Sequence, residues 1–600
     1  MRGPHGNAAG MAVTRRTVLR ATGAGLLGAA TGSLVRPVGA VASPVFWRRP
    51  AVAGSGGPGQ LHLTYGADPA TAMTASWATD ARVQNPRLRL GTPAGGYGAT
   101  MPALTRTYTA AATATMPAQE VVTQHVPMTG LLPGTTYVFQ VLHDGAPAPV
   151  TGSFTTPAQG RFPFRFSSFG DQGTGNPNDV GFTPQAVAVV DHINRAAPLF
   201  HLLNGDLAYS DLQQSTVGAW TNFFTNNQPS ASTLPWMPAL GNHENETGNG
   251  PQGFAGYLTR YLLPGNGSAD FAGNWYAFLV GNVQVISLDA DDVVYQDSGN
   301  FYIRGYSAGA QRAWLRNTLA AARADRAVDW IVVFQHMAVI SSSQSGNGCD
   351  LGLRQQFQPL FDEYGVDLVL CGHEHDYERS YSLRGFDHAS PTLKPAVVST
   401  GTDVVDSTRG TVYLVLGGGG FALPTNVFGG TPSAPTAKVN VAKGTTATET
   451  ADWSFYRDTI FPFGFATFDV DPGRPGGLTS ITVTYFHTTA AGAAPAEVER
   501  FVLQRPRSDT SAAGTADRPV IRAAGTPTPP PRVQRARRQP AARSSAGSPQ
   551  PAQPAQPQRI LAYTGLEDVL PAAGAALAAG AAALRLTGRP DRSDGAAPPR

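Results

Sequence analysis

The sequence predicts a multidomain chain, an antiparallel β-sandwich followed by a layered α/β domain, with a leader ahead of them and a tail behind. Three observations predict it. Six hundred residues exceed what a single hydrophobic core usually holds. Between residues 58 and 156, short apolar runs alternate with Gly and Pro punctuation and show no helical period. From residue 162 to residue 505 the texture changes, and apolar runs alternate with helical patterns. A hydrophobic content of 42% suits globular structure, and a formal charge of +3 gives no reason to expect a nucleic-acid partner. Two cysteines, Cys349 and Cys371, exclude a disulfide scaffold and a Cys-rich zinc site. A single bridge between them and a buried strand thiol at Cys371 are both open.

Residues 1–42 have the layout of a signal peptide. Thr14-Arg15-Arg16-Thr17-Val18-Leu19 is followed by a mildly apolar Ala/Gly stretch and by Ala40-Val41-Ala42, small residues suited to a signal peptidase. The paired arginines resemble a twin-arginine (Tat) signal, which implies the Tat translocase as a partner during export.

In the segment 58–156, Gln60-Leu61-His62-Leu63-Thr64-Tyr65, Ala72-Met73-Thr74-Ala75-Ser76-Trp77 and Thr136-Tyr137-Val138-Phe139-Gln140-Val141 read as strands, with Leu132-Pro133-Gly134 as a turn. Trp77 and Tyr137 are expected in its core. No metal-ligating residues cluster there, so the segment is assigned no chemistry.

In the segment 162–505, strands are predicted over 164–169, 198–203, 329–334, 366–370, 411–416, 465–470 and 480–486, and helices over 184–195, 308–323 and 353–364. This alternation points to a layered α/β domain, whose ligands gather beyond the carboxyl ends of strands. The polar residues fall where that rule wants them. Gly170-Asp171-Gln172-Gly173, Asn204-Gly205-Asp206-Leu207-Ala208-Tyr209, Gly241-Asn242-His243-Glu244, Gln335-His336 and Gly372-His373-Glu374-His375 each end an apolar run. Carboxylates and imidazoles bind first-row metals, and a bridging carboxylate can hold two ions in place for phosphoryl transfer. Taken singly, a Gly-Asp pair is usually a turn and a lone His is usually structural. Five such pieces in order are a site.

The order Gly-Asp-x-Gly, Gly-Asp-x-x-Tyr, Gly-Asn-His-Glu, Val-x-x-His, Gly-His-x-His resembles the purple acid phosphatases among the calcineurin-like metallophosphoesterases, over roughly residues 58 to 505. The run Leu131-Leu132-Pro133-Gly134-Thr135-Thr136-Tyr137 resembles the fibronectin type III-like N-terminal domain of the large members. The resemblance implies an αββα-type metallophosphoesterase domain and two metal ions. Asp171, Tyr209 and His375 would hold Fe(III). Asn242, His336 and His373 would hold a divalent Fe, Zn or Mn, and Asp206 would bridge the two. Tyr209 is the discriminating residue, because a phenolate favours a ferric ion and colours the protein. His243 is the candidate for binding phosphate and assisting the leaving group; orienting Asn242 or Asp171 is its other reading. Glu374 and Arg379 are taken as supporting residues. The plant enzymes place further histidines beyond the fourth motif. Here Ser341-Ser342-Ser343-Gln344-Ser345-Gly346-Asn347-Gly348-Cys349 has none, which predicts a more open site.

The expected activity is hydrolysis of a phosphorylated small molecule, a phosphate monoester, at the surface of a Gram-positive bacterium. A phosphodiesterase or nucleotidase on the same metals is the enzymatic alternative. The Tat-exported alkaline phosphatase/phosphodiesterases carry Asp where this chain has Asn242. A wall-anchored binding protein with structural metals is the alternative of another class, and an open ligand set argues against it.

Residues 506–558, rich in Pro, Ala, Ser and Gln, read as a disordered linker. Residues 561–600 combine Leu561-Ala562-Tyr563-Thr564-Gly565, an Ala-rich apolar stretch and Arg585, Arg589 and Arg592. This resembles a sortase sorting signal of the Leu-Ala-x-Thr-Gly type, which implies sortase as a partner and cleavage between Thr564 and Gly565. A retained membrane anchor is the alternative.

Overall fold

A computed structural model of the protein describes residues 56–509, apart from 297–300, 345, 423–426, 459 and 461. The leader 1–42, most of the predicted linker, and the sorting segment with Thr564 and Gly565 lie outside the described residues.

The first domain is two four-stranded antiparallel sheets. The predicted strands are observed as Gly59–Tyr65, Ala72–Thr79 and Thr136–Leu142. Alternation turns Met73, Ala75 and Trp77 inward, and Tyr137 is buried beside Phe154. Strand Gly59–Tyr65 is buried on both faces because it also packs on the second domain. There Leu61 N–H donates to Gln228 Oε1 at 2.9 Å and Thr64 Oγ1 to the Leu262 carbonyl at 2.8 Å.

The second domain is built on two seven-stranded sheets. In one, Phe164–Phe169, His201–Leu203 and Trp236–Pro238 run parallel. In the other, Val283–Ser287, Trp330–Phe334, Leu368–Cys371 and Val412–Leu416 run parallel. These strands are apolar without alternation because both faces are covered. Trp330, Val332, Phe334, Leu368 and Leu370 enter the core that also holds Phe166, Leu202 and Phe468 of the other sheet. Ile331, Val333 and Val369 point the other way, to Leu315, Leu319, Leu360 and Phe361 of the covering helices.

Helices Pro184–Ala196 and Ala310–Ala324 stand where the periodicity put them. The helix predicted over 353–364 is two, Leu351–Gln356 and Gln358–Tyr364, broken at Phe357. Pro359 is the cause: it lacks an N–H and its ring crowds the carbonyl four residues back. The strand predicted over 198–203 shortens to His201–Leu203. Helix Thr216–Ala231 had no sequence signal, since it contains Gly218, Pro229 and several Asn; the Ser215 side chain caps it by accepting Gly218 N–H. The packed chain runs through Asp509, into the stretch read as linker. Arg161 and Asp329 hold Ser508 and Asp509 there. Cys349 and Cys371 are both buried free thiols, and Arg354 donates to Cys349 Sγ at 3.1 Å. Among the described residues no helix is long and apolar enough to cross a membrane.

Candidate metal centre

Five strands deliver the site at their carboxyl ends. Asp171 follows Phe164–Phe169, Asp206 and Tyr209 follow His201–Leu203, Asn242 and His243 follow Trp236–Pro238, His336 follows Trp330–Phe334, and His373 and His375 follow Leu368–Cys371. Gly170 N–H donates to the Leu416 carbonyl at 2.8 Å and ties the two sheets together at this point.

The backbone is strained where the side chains converge. Asp171, Asp206, Tyr209 and His373 themselves take positive φ, at 62°, 51°, 48° and 73°, a conformation that non-glycine residues adopt mainly where the surroundings enforce it. The neighbouring glycines serve close approach. A Cβ on Gly372 would lie 2.4 Å from Asp171 Oδ2, and one on Gly241 would lie 2.3 Å from Asp206 Oδ1.

Seven of the eight predicted side chains meet in two groups. In the first, Tyr209 OH lies 3.0 Å from both Asp171 Oδ1 and His375 Nε2, and His375 Nε2 lies 3.2 Å from Asp171 Oδ1. In the second, His336 Nε2 lies 3.0 Å from Asn242 Oδ1, 3.1 Å from Asp206 Oδ2 and 3.1 Å from His373 Nδ1. His243 stands between the groups. Its ring is 4.5 Å from that of Tyr209, and its Nε2 is 3.9 Å from Asp206 Oδ2.

The outer partners test whether this donor set fits a metal. His336 Nδ1 faces the Asn204 carbonyl at 2.8 Å. A carbonyl accepts only an N–H, so Nε2 is left with its lone pair. His373 Nε2 faces Gln296 Oε1 at 3.0 Å, which leaves Nδ1 with its lone pair. Two lone pairs, a carboxylate oxygen and an amide oxygen then converge, and atoms of Asp206, His336 and His373 all lie within 4.8 Å of one another. Such a set repels itself unless protons or a cation lie among its members. Without a cation, protons fill the role. Burial works to lower His336, but Asp206 and Asp171 outweigh it and raise it to about 10. Burial pushes Asp206 up, but His336 and His243 outweigh it and hold its carboxyl well below the usual range. The residues fit a metal.

Three residues support the site: Glu244, which the sequence places in a motif but gives no role, and Asp211 and Gln296, which carry no sequence signal. Glu244, buried, accepts Gly241 N–H at 2.8 Å and the Asp206 and Leu207 N–H groups at 2.9 Å, and so staples two ligand loops together. Asp211 grips His243 Nδ1 with both oxygens, at 2.9 and 3.0 Å. Burial works to lower His243, but Asp211 and Asp206 raise it to about 9. Burial also pushes Asp211 up; the two-oxygen grip is the geometry of an Nδ1–H donor, which keeps the proton on His243. Gln296 is the third. Phe421 stacks on Tyr209 at 3.6 Å between centroids. Glu374 accepts Gly348 N–H, and Arg379 pairs with Glu499 at 2.6 Å between the rings of Phe455 and Phe501. Both therefore shape the fold. Ser341 and Ser342, of the loop without histidines, are buried against Glu378.

The purple acid phosphatase N-terminal domain matches residues 58–156, and the calcineurin-like phosphoesterase domain matches residues 169–377. The chain is similar to the calcineurin-like phosphoesterases over residues 169–377. It has the two-domain architecture of the purple acid phosphatases and is a metal-dependent phosphoester hydrolase. Over 487 residues this phosphoesterase is 45% identical to an uncharacterized protein of Mycobacterium tuberculosis, covering 77% of this chain and 90% of that one. It is 28% identical to acid phosphatase type 7 of Homo sapiens, over 55% of this chain and 73% of the human one. It is 28% identical to purple acid phosphatase 23 of Arabidopsis thaliana, over 49% and 62%. A purple acid phosphatase from yellow lupin seeds shares the fold at a TM-score of 0.54 and 19% identity, over 75% and 74% of the two chains. For this phosphoesterase the family implies a dinuclear metal centre, and the donor set described above is suited to hold one.

Proposed function

We propose that the protein hydrolyses phosphate monoesters at an Fe(III)–M(II) pair. Asp171, Tyr209 and His375 would hold the ferric ion, Asn242, His336 and His373 would hold divalent Fe, Zn or Mn, and Asp206 would serve both. The observation that carries this reading is the Asp171–Tyr209–His375 group, whose donor atoms lie within 3.2 Å of one another. Burial and Asp171 push the Tyr209 phenol well above 10, so a strongly acidic cation is what would turn it into a phenolate ligand. Bound there, two cations activate water and neutralise phosphate oxygens. Around them the protein does the rest. Glu244 fixes the loop spacing, Asn204 and Gln296 set the imidazole tautomers, and Phe421 holds the Tyr209 ring. His243, kept protonated by Asp211, faces the space between the groups and offers its Nε2 proton to the departing alkoxide.

The test is visible absorption of the iron-loaded protein. A charge-transfer band lost in Tyr209→Phe supports the reading, and a colourless iron-loaded protein refutes it. Parallel assays with an aryl phosphate and a bis-aryl phosphate separate monoesterase from diesterase. The twin-arginine leader and the Leu561–Gly565 motif support export by Tat and attachment to the cell wall by sortase. Deleting the residues after Gln558 should release the protein from the wall, and unchanged attachment would refute it.

A further inference from the structure

A second polar cavity lies at the end of the domain opposite the metal centre. Its volume is about 280 Å³, and Arg323, Asp362, Gly365, Arg384, Ser407 and Arg505 contribute to its lining. Strand Leu368–Cys371 separates the two sites. Gly365 precedes it at the cavity and His373 follows it at the metal centre, and the strand alone spans about 10 Å at the usual rise. The cavity shares no side chain with the metal site.

Three guanidinium groups line it. Arg323 spends all three nitrogens, on the Tyr364, Asp329 and Gly365 carbonyls and on the buried Asp367 carboxylate at 2.5 Å, whereas Arg505 spends only Nη1 there, on Asp367 at 2.6 Å. Glu363, also in the lining, is engaged by Arg316 at 3.0 Å. What remains is a surplus of donors. The Nε atoms of Arg384 and Arg505 are buried without a partner. Ser407 is 1% exposed; its N–H donates to the Gln504 carbonyl at 3.0 Å, but its Oγ has no partner. Asp362 accepts Gly385 N–H through Oδ2 at 2.9 Å, while Oδ1 has no partner. Burial pushes this carboxyl up, toward the form that donates. Buried donors are rarely left unmet, and a fork of guanidinium N–H groups beside a hydroxyl is suited to a tetrahedral oxyanion.

We propose that this cavity binds inorganic phosphate, the ion that a phosphomonoester hydrolase releases, at a site separate from the metal centre. Arg384, Arg505 and Ser407 make the contacts. The size suits one phosphate with a few waters, at about 30 Å³ per water.

The experiment is calorimetric titration of inorganic phosphate into the metal-loaded full chain. Two sites per chain are expected. Arg384→Gln should weaken one of them about tenfold or more and leave aryl phosphate turnover at low phosphate unchanged. Asp206→Ala should abolish the other. A single wild-type site that Arg384→Gln leaves intact overturns the proposal, as does a second site indifferent to the variant. If thermal unfolding shows that Arg384→Gln is misfolded, Ser407→Ala takes its place, with about fivefold weaker binding expected and unchanged affinity contradicting it. A site that survives in Asp206→Ala and is weakened by Arg384→Gln upholds this cavity whatever becomes of the catalytic reading, so the two failures are distinguishable.

Discussion

Asp211 and His243 form a pair whose charge state would set the acid side of the proposed reaction. With Asp211 bound through both oxygens, the His243 imidazole is raised to about 9. Removing the carboxylate's charge lowers that value, so the proton is lost at lower pH. Asp211→Asn should therefore reduce turnover by about 10- to 100-fold and move the alkaline limb of the pH–rate profile downward; an unmoved limb would contradict the pairing. Metal loading is coupled to protons by the same logic. His336 is raised to about 10 without a cation, so uptake at neutral pH must displace its proton. Release of at least one proton on loading, followed with a pH indicator, is the expected result. The seven candidate ligand positions and His243 were legible because each follows the end of an apolar run, marked by a glycine at all of them except His336. Asp211 and Gln296 were not, since each is one polar residue in a loop, and only the third dimension brings it to an imidazole.

At the scale of elements, the fully apolar strands were the readable part. Trp330–Phe334 and Leu368–Cys371 bury both faces, so their sequences admit no other reading than strand or core helix, and their length decides it. Helix Thr216–Ala231 was opaque because its stability comes from packing Trp220 and Phe224, not from propensity. The turns after the strands depend on close approach. Gly372→Ala should place a methyl against Asp171 Oδ2, displace the ligand loops and lower kcat by about 10²-fold while leaving the far-ultraviolet circular dichroism unchanged. Retained activity would show that the loops have slack.

Buried neutral histidines make an acid-sensitive seam in these elements. Burial lowers His62 to about 4 and His125 and His201 to about 3. The unfolded chain titrates near 6.5 and binds more protons below that value, so stability is lost as pH falls from about 6.5 toward 4. Each tenfold loss of proton affinity on folding corresponds to about 1.4 kcal/mol, so His62 alone accounts for on the order of 3 kcal/mol. Denaturant midpoints at pH 7 and pH 5 should differ accordingly, and His62→Gln should flatten the slope.

At the scale of the whole molecule, the two domains pack into one compact unit. His62 sits between them, stacked on Phe224 at 4.4 Å with Nε2 3.0 Å from the Arg260 carbonyl. Arg106 reaches the Leu258 and Tyr261 carbonyls at 2.9 and 3.1 Å, and Tyr65 packs against Phe200 and Phe278. The sandwich thus covers apolar surface of the second domain and contributes no residue to the candidate metal centre. The proposed dinuclear centre lies where the two sheets meet. Metal analysis of the wild type and Asp206→Ala, combined with aryl phosphate hydrolysis, tests it most directly. Two metal ions per wild-type chain are expected and, in the variant, loss of bound metal with at least about 10³-fold lower turnover. An Asp206→Ala protein that keeps both ions and its activity would contradict it.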